Sequence, residues 1–403
     1  MYIFKAAVIG AGAMGAGIAQ VISFSGLPVL LKDVDQAFVD KGMARIRDIY
    51  QSRVDKGKMT PGEMDSKLAL IEPVLDYSGF GDVDIVIEAV PEKMALKKKI
   101  YAELEEACQE SAIFASNTSA LSISEMAAAT RRAHKVIGMH FFNPAHVMRL
   151  VEIIPGLDTS QETIDDTVQF TESLRKIPVV VQECPGFLVN RLLMPYLNEA
   201  TLCLQEGAAS AQDIDAALVE FGMPMGPFTL MDMLGLDVCY DVGQYLTSEY
   251  GDRMKGAILF EDLVKAGRLG EKSGAGFYGY GEATDEPVKQ MIAMHKQAGA
   301  EFSIDRVILP LINEAAYCLL EKIAAPSDID MAMVAGSGMT YHGERMGPLA
   351  MADQMGLDTV VEKLQALQAK YGERFRPARS LALRARAGHL GVKTGRGFHE
   401  YSN

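Results

Sequence analysis

Over the first 185 residues, short runs of aliphatic and β-branched residues alternate with longer amphipathic stretches. AAVIGA, PVLLKD, VDIVIEA, AIFASN, KVIGMHFF and PVVVQ read as strands. AMGAGIAQVISFSG, DQAFVDKGMARIRDIYQSRVDKG, MALKKKIYAELEEAC and SISEMAAAT carry the 3.6-residue period of helices. Alternation of this kind predicts a mainly parallel sheet covered by helices on both faces. After Gly186 the pattern turns helical. GFLVNRLLMPYLNEATLCLQEG is followed by SAQDIDAALVEFG, where Ser210 is a candidate N-cap with Asp213 three residues later. Helical patterning continues to Gly281, and residues 282–303 read as a linker with room for one helix.

The helical part then repeats. VNRLLMPYLNEATLCLQEG matches IDRVILPLINEAAYCLLEK, and DIDAALV matches DIDMAMV 115 residues on. MGPFTLMDMLGLD matches MGPLAMADQMGLD, and KSGAGFYGY matches KTGRGFHEY, both 121 residues on. The offset grows because the second copy carries extra residues around GSGMTYHGER. Four blocks in one order indicate an internal duplication, and two copies suit a paired helical body better than a solenoid. The expected organisation is 1–185, 186–281 as the first helical copy, the 282–303 linker, and 304–403 as the second copy.

The segment from Ala6 to Leu31 has no charged residue and resembles a signal peptide or membrane span. Five glycines, Gln20 and Pro28 break it, and a motif inside it gives a better reading. AVIGAGAMGAG holds GxGxxG at Gly10, Gly12 and Gly15, between a strand and a helix, and a second strand ends at Asp33. Gly10 allows the tight turn, Gly12 lets the backbone approach a pyrophosphate, and Gly15 lets helix and strand pack closely. Ala13 and Met14 lie where the helix N-terminus presents free N–H groups to phosphate. Asp33 suits the hydroxyls of an adenosine ribose and repels a 2′-phosphate, and Val34 follows it rather than an arginine. The expected cofactor is therefore NAD rather than NADP. The fold class is an α/β Rossmann-type NAD-binding domain followed by two tandem, mainly α-helical domains.

Composition narrows the partners. The 403-residue chain has a net charge of −14, which argues against a dedicated nucleic-acid binder. The run RIRDIYQSRVDKGK (Arg45–Lys58) reads as a solvated helix face, though such a local patch can also serve a small anion. Five scattered cysteines, with no CxxC pair, make disulfides and a structural metal unexpected and suit a reduced, cytoplasmic compartment.

In GMHFFNP, His140 sits near the end of a strand-like run, where ligands bind in open parallel sheets. Twelve residues on, Glu152 lies inside the apolar run LVEII, where a carboxylate needs a partner. A histidine and carboxylate pair suits general-base chemistry. On pattern alone, a core histidine satisfied by one hydrogen bond is the more ordinary reading. Ser119 in SNTS and Asn190 in LVNR read, on pattern alone, as loop or cap residues.

GAGAMGAGIAQ, EAVPEKMALKK, FASNTSALSI, GMHFFNPAHVMRLVEIIP, CPGFLVNRLLMPYLNEA, MGPFTLMDMLGLD and KSGAGFYGY together resemble the signature blocks of the L-3-hydroxyacyl-CoA dehydrogenases, in family order from Met1 to about Gly281. The duplicated end resembles the dehydrogenase part of multifunctional fatty-acid-oxidation proteins, without the hydratase half those proteins carry. The resemblance implies NAD-dependent oxidation of an (S)-3-hydroxyacyl-CoA thioester to the 3-oxoacyl-CoA. It implies His140 as base, Glu152 as its orienting partner, and Ser119 and Asn190 holding the substrate oxygen and thioester. It adds Glu92, Lys97, Ser119, Asn143 and Lys272 as cofactor contacts, and Arg53 as a CoA contact whose usual serine companion is replaced by Ile46. In short members the helical domain forms the dimer contact, so the second copy is expected to imitate that dimer within one chain, as a monomer with an internal pseudo-dimer or as a homodimer. Asn190 becomes Asp305 in the second copy and HFFNP is not repeated, so one active site per chain is expected. Neither nucleic acid nor membrane is an expected partner; an enoyl-CoA hydratase or a thiolase is. Two readings compete: a dehydrogenase of a free acid such as gulonate, and a crystallin-like NAD-binding protein without catalysis.

Overall fold

The computed structural model describes residues 2–402, which divide into two compact bodies, one ending at Phe187 and one beginning at Leu188. The first body contains, in order, β1 (Ala6–Ile9), α1 (Ala13–Phe24), β2 (Val29–Lys32), α2 (Gln36–Asp55), α3 (Pro61–Leu68), β3 (Ile71–Val74), β4 (Ile85–Glu88), α4 (Met94–Ala107), β5 (Ile113–Ser116), α5 (Ile123–Ala127), β6 (Val136–Phe141), β7 (Leu150–Pro155), α6 (Gln161–Ser173) and β8 (Ile177–Val180). They build an eight-stranded sheet in the order β3-β2-β1-β4-β5-β6-β7-β8. The order reverses between β1 and β4, which opens a crevice at their carboxyl ends.

All four residues of β1, β2, β4 and β5 are buried, as expected of strands covered on both faces. Ala6 and Val8 join one apolar cluster, which includes α1 and α2 residues such as Ile18 and Tyr50. Ala7 and Ile9 join the opposite one, with Tyr101 and Met126. The uncharged Ala6–Leu31 segment is thus β1, α1 and most of β2 in a globular core. No helix among the described residues is long and apolar enough to cross a membrane.

Four features lie outside the sequence expectation. β3 was hidden by Pro73, which removes one ladder donor and is tolerated because β3 is an edge strand. α3 begins at a full capping box between Thr60 and Glu63 with Pro61 at its first position. α6 starts at the Ser160 cap. β7 runs antiparallel to β6, because residues 142–149 are too few for the crossover a parallel strand requires.

The second body holds α7 (Val189–Gln205), α8 (Ala211–Phe221), α9 (Pro227–Leu234), α10 (Leu236–Tyr250), α11 (Ile258–Lys265), α12 (Glu286–His295), α13 (Ile304–Leu320), α14 (Pro326–Ser337), the hairpin β9 (Thr340–Tyr341) and β10 (Glu344–Arg345), α15 (Pro348–Met355), α16 (Leu357–Tyr371) and α17 (Arg379–Arg386). α13 to α17 repeat α7 to α11 in order, and Ser210 caps α8 as expected. α12 occupies the 282–303 segment and packs on α7 and α11.

The two copies lie against each other through α7 and α13. Buried Arg191 bonds through Nε to Glu314 at 2.8 Å and reaches Glu321, also at 2.8 Å. Buried Arg306 mirrors it on Glu199 at 2.7 Å and Glu206 at 2.9 Å. The residues inserted into the second copy form the β9–β10 hairpin. Thr340 N donates to Gly222 O at 2.9 Å, and Tyr341 packs on Phe221, so the insertion clasps the end of α8.

Candidate active site

At the carboxyl end of β1 the chain makes a turn that glycine alone fits. Gly10 has φ +100°, and a Cβ there would lie 2.6 Å from Ala89 O. A Cβ on Gly15 would lie 1.7 Å from Gly10 O, so α1 can approach β1 only without one. At Gly12, the N-cap of α1, a Cβ would meet nothing within 4 Å. Gly12 and Ala13 are exposed and Met14 half-buried at the first turn, leaving the helix N-terminus open to an anion. Asp33, beyond the end of β2, accepts from Ala11 N and Val34 N, each at 2.7 Å. Each carboxylate oxygen retains a further lone pair for a ribose hydroxyl. The residues present therefore fit a dinucleotide on the sequence-predicted turn.

His140 and Glu152 are direct cross-strand partners in the antiparallel β6–β7 ladder. Their side chains share one face of the sheet, where such pairs touch. Imidazole Nδ1 lies 2.7 Å from Glu152 Oε2. Both are buried, His140 at 5% exposure and Glu152 at 0%. A carboxylate only accepts, so Nδ1 carries the shared proton and Nε2 keeps its lone pair. The rings of Phe142 and Phe187 stand 4.6 and 5.7 Å from the imidazole. Phe141, the next residue on the strand, points to the other face and joins the Ala16–Ile18 cluster. The aromatic walls of this histidine are thus Phe142 and Phe187.

Beside β4 and β5, Glu92 receives Ser119 N at 2.9 Å and Ala120 N at 3.3 Å, together with the Thr118 hydroxyl. Lys97, on an otherwise charged helix, is 1% exposed, bonded to Glu88 at 2.8 and 2.9 Å and to Glu92 at 3.2 Å. Ser119 therefore sits on a loop held by a carboxylate that a buried ammonium orients. Asn143 is exposed and precedes a cis peptide bond to Pro144.

Two of the sequence-predicted residues belong to the second body. Asn190 is in the first turn of α7, half-buried. Lys272 bonds to Asp237 at 2.5 Å, and its counterpart Lys393 bonds to Asp358 at 2.6 Å. The recurrence of this pair in both copies gives Lys272 a structural task in the repeat.

The first body also contains a basic cavity of about 350 Å³ lined by Arg53, Lys56, Lys58, His146, Arg149, Arg175 and Lys176, with no carboxylate on its wall. The Arg53 guanidinium lies over the Phe24 ring at 4.5 Å, and its Nε is buried without a hydrogen-bond partner. Lys176 donates to Ala145 O at 2.5 Å and Met148 O at 2.6 Å. Burial, and then the charge of Arg149, push its ammonium down to about 8. Burial, Lys176 and Arg53 lower His146 in the same way. These cations gather around one cavity although the chain as a whole carries a net charge of −14.

Residues 5–184 match the family model of the 3-hydroxyacyl-CoA dehydrogenase NAD binding domain, and residues 186–280 and 302–401 each match the C-terminal domain of the same family. The chain belongs to the 3-hydroxyacyl-CoA dehydrogenase family. Its first body is the NAD-binding domain of that family, and the two C-terminal matches coincide with the duplicated helical copies. A fatty acid oxidation complex subunit alpha from Psychrobacter arcticus is 42% identical over 385 residues, covering 91% of this chain and 52% of that protein. The chain thus spans about half the length of the curated relatives it matches. The structure of a 3-hydroxybutyryl-CoA dehydrogenase from Escherichia coli K12 superposes with a TM-score of 0.86 at 30% identity, over 96% of this chain and 99% of that one. An (S)-3-hydroxybutyryl-CoA dehydrogenase from Ralstonia eutropha is 42% identical, with a TM-score of 0.68, over 70% of this chain and all of that one.

Within this dehydrogenase fold, sequence reasoning missed the far side of the basic cavity and the Phe187 wall. Arg149, Arg175 and Lys176 are scattered in sequence, and only the β7–β8 pairing brings them together: Ile177 N donates to Arg149 O at 2.8 Å. The available signal was a basic residue immediately before each of two apolar strands.

Proposed function

We propose that the chain oxidises an (S)-3-hydroxyacyl-CoA to the 3-oxoacyl-CoA, reversibly, with NAD. The observation that carries the reading is the buried His140–Glu152 pair at 2.7 Å, on the sheet that also carries the dinucleotide turn. Nε2 of His140 takes the proton of the C3 hydroxyl as the C3–H bond breaks and the C=O bond forms. NAD, when bound, supplies the hydride acceptor. Glu152 holds the imidazole tautomer and stabilises the imidazolium, a contribution on the order of 10²–10⁴-fold in rate for a base of this type. Gly10, Gly12, Ala13, Met14, Gly15 and Asp33 hold the cofactor, with Glu92, Lys97 and Asn143 beside it. Ser119 and Asn190 hold the substrate oxygen and thioester carbonyl.

The basic cavity around Arg53 favours a CoA thioester over a free hydroxy acid, because CoA carries phosphates that a small acid lacks. The intact base pair weighs against a non-catalytic role. The longer relatives are named as a subunit of a fatty acid oxidation complex, which supports work alongside other enzymes of that oxidation; an enoyl-CoA hydratase or a thiolase is the partner that co-purification of the full chain checks. The deciding experiment is NADH oxidation with acetoacetyl-CoA, longer 3-oxoacyl-CoAs and free 3-oxo acids. Turnover of thioesters alone is expected; turnover of free acids without any thioester activity overturns the proposal.

A further inference from the structure

Four non-glycine residues have positive φ: Arg175 (60°), Phe187 (48°), Lys322 (59°) and His342 (50°). Arg175, Lys322 and His342 are exposed polar residues in turns. Phe187 differs from them, being 1% exposed and bulky. A left-handed backbone is disfavoured for such a side chain, and Gly186 before it already turns the other way from a helix or strand, at φ 73°. Glycine at 187 would satisfy the backbone without strain. The phenyl ring is therefore what the turn retains. The conformation is held by Phe187 N, which donates to Cys184 O at 3.0 Å, and by the Cys184 thiol, which donates to Phe187 O at 3.4 Å.

The ring packs into the core cluster formed by Phe114, Ile123 and Ile154 and meets the imidazole of His140 at 5.7 Å. Phe142 bounds the same imidazole at 4.6 Å, and Glu152 holds Nδ1. A histidine ring turns easily about its last torsion unless its sides are blocked. Rotation away from this pose breaks the Glu152 bond and takes Nε2 out of its place as proton acceptor.

We propose that Phe187 is a positioning residue for the reaction: held by its left-handed turn, its ring locks His140 in the rotamer that Glu152 requires. The inference rests on His140 being the base. It goes beyond packing because the ring borders the imidazole itself, which Glu152 holds at Nδ1.

The test uses the full chain with Phe187→Leu, and with Phe187→Met as a flexible filler of the same space. NADH oxidation with acetoacetyl-CoA is followed across pH, with NADH affinity measured separately and folding checked by circular dichroism. A positioning role predicts that kcat falls about tenfold or more while KM and NADH affinity change less than about threefold, with an altered pH–kcat curve. Wild-type kcat and pH curve in a folded variant overturn it. A kcat loss matched by equal losses in NADH affinity and folded fraction also overturns it, because that is the mark of a merely structural residue. His140→Ala is run beside them. If that variant keeps wild-type kcat, the base assignment itself fails, and this result is distinct from a failure at Phe187.

Discussion

Arg191, buried in α7, bonds to Glu314 of α13 at 2.8 Å, although the two residues are 123 positions apart in the chain. The bond joins the two helical copies, and Arg306–Glu199 returns it with the copies exchanged. Each guanidinium also lies over a tyrosine, Arg191 on Tyr250 at 4.3 Å and Arg306 on Tyr371 at 3.9 Å. Removing Glu314 takes one of two carboxylates from buried Arg191, which keeps only the partly exposed Glu321. Glu314→Ala is expected to destabilise the chain by about 1–3 kcal/mol, the cost of leaving a buried donor unsatisfied. Denaturant unfolding measures it, and a loss below about 1 kcal/mol counts against the network, since exposed pairs are worth no more than that.

At Glu152, the conservative change Glu152→Gln keeps shape but removes the charge that fixes the imidazole. The expected result is a kcat loss of about 10² or more with NADH affinity within about twofold. Steady-state kinetics and fluorescence titration of NADH separate the two.

Gly12 and Gly15 are expected to fail differently. Gly15→Ala places a Cβ on Gly10 O and should destabilise the fold itself. Gly12→Val projects into space that no chain atom occupies within 4 Å of the Cβ position. It should leave the melting temperature nearly unchanged and weaken NADH binding. Thermal melts with and without NADH check both.

The basic cavity gives a pH prediction. Lys176 is held at about 8, so its charge is lost as pH rises through that value and an anion bound there loses one attraction. The KM for acetoacetyl-CoA should rise between pH 7 and 9, while that for a pantetheine thioester without the nucleotide should not. Arg53→Glu should raise the first KM about tenfold or more and leave the second near wild type.

His399 offers a second pH effect. It replaces the Tyr278 of the first copy and bonds through Nε2 to Asp330 at 2.7 Å. That bond, outweighing burial, raises the imidazole above its ordinary value of 6.5. The stabilisation is fully present below 6.5, the unfolded value, and is lost as pH climbs through the higher folded value. Melting temperatures should fall over that interval in the wild type and vary less in His399→Tyr.

Much of the site was readable because its residues are bound to local motifs. Gly10, Gly15 and Asp33 follow from the spacing of one turn and one strand. His140 and Glu152 could be suspected from a polar residue in each of two apolar runs, but their contact depends on antiparallel register, which short strands do not declare. The burial of Lys97 was not legible because its helix is otherwise charged, and only β4 and the Glu88 beneath it reveal it. Phe187 was invisible as a wall because its role comes from a backbone angle, not from its residue type.

The duplicated body has a consequence for how the chain can change. In a pair of identical subunits, every substitution occurs twice, once on each side of the symmetry axis. Here Asn190 and Asp305 occupy matched positions yet differ, and Asp305 is tied to Lys363 at 2.8 Å. Two copies in one chain can differ at matched positions, because each substitution falls on one side alone. The matched surfaces also stay together at any dilution, because their partner is always attached.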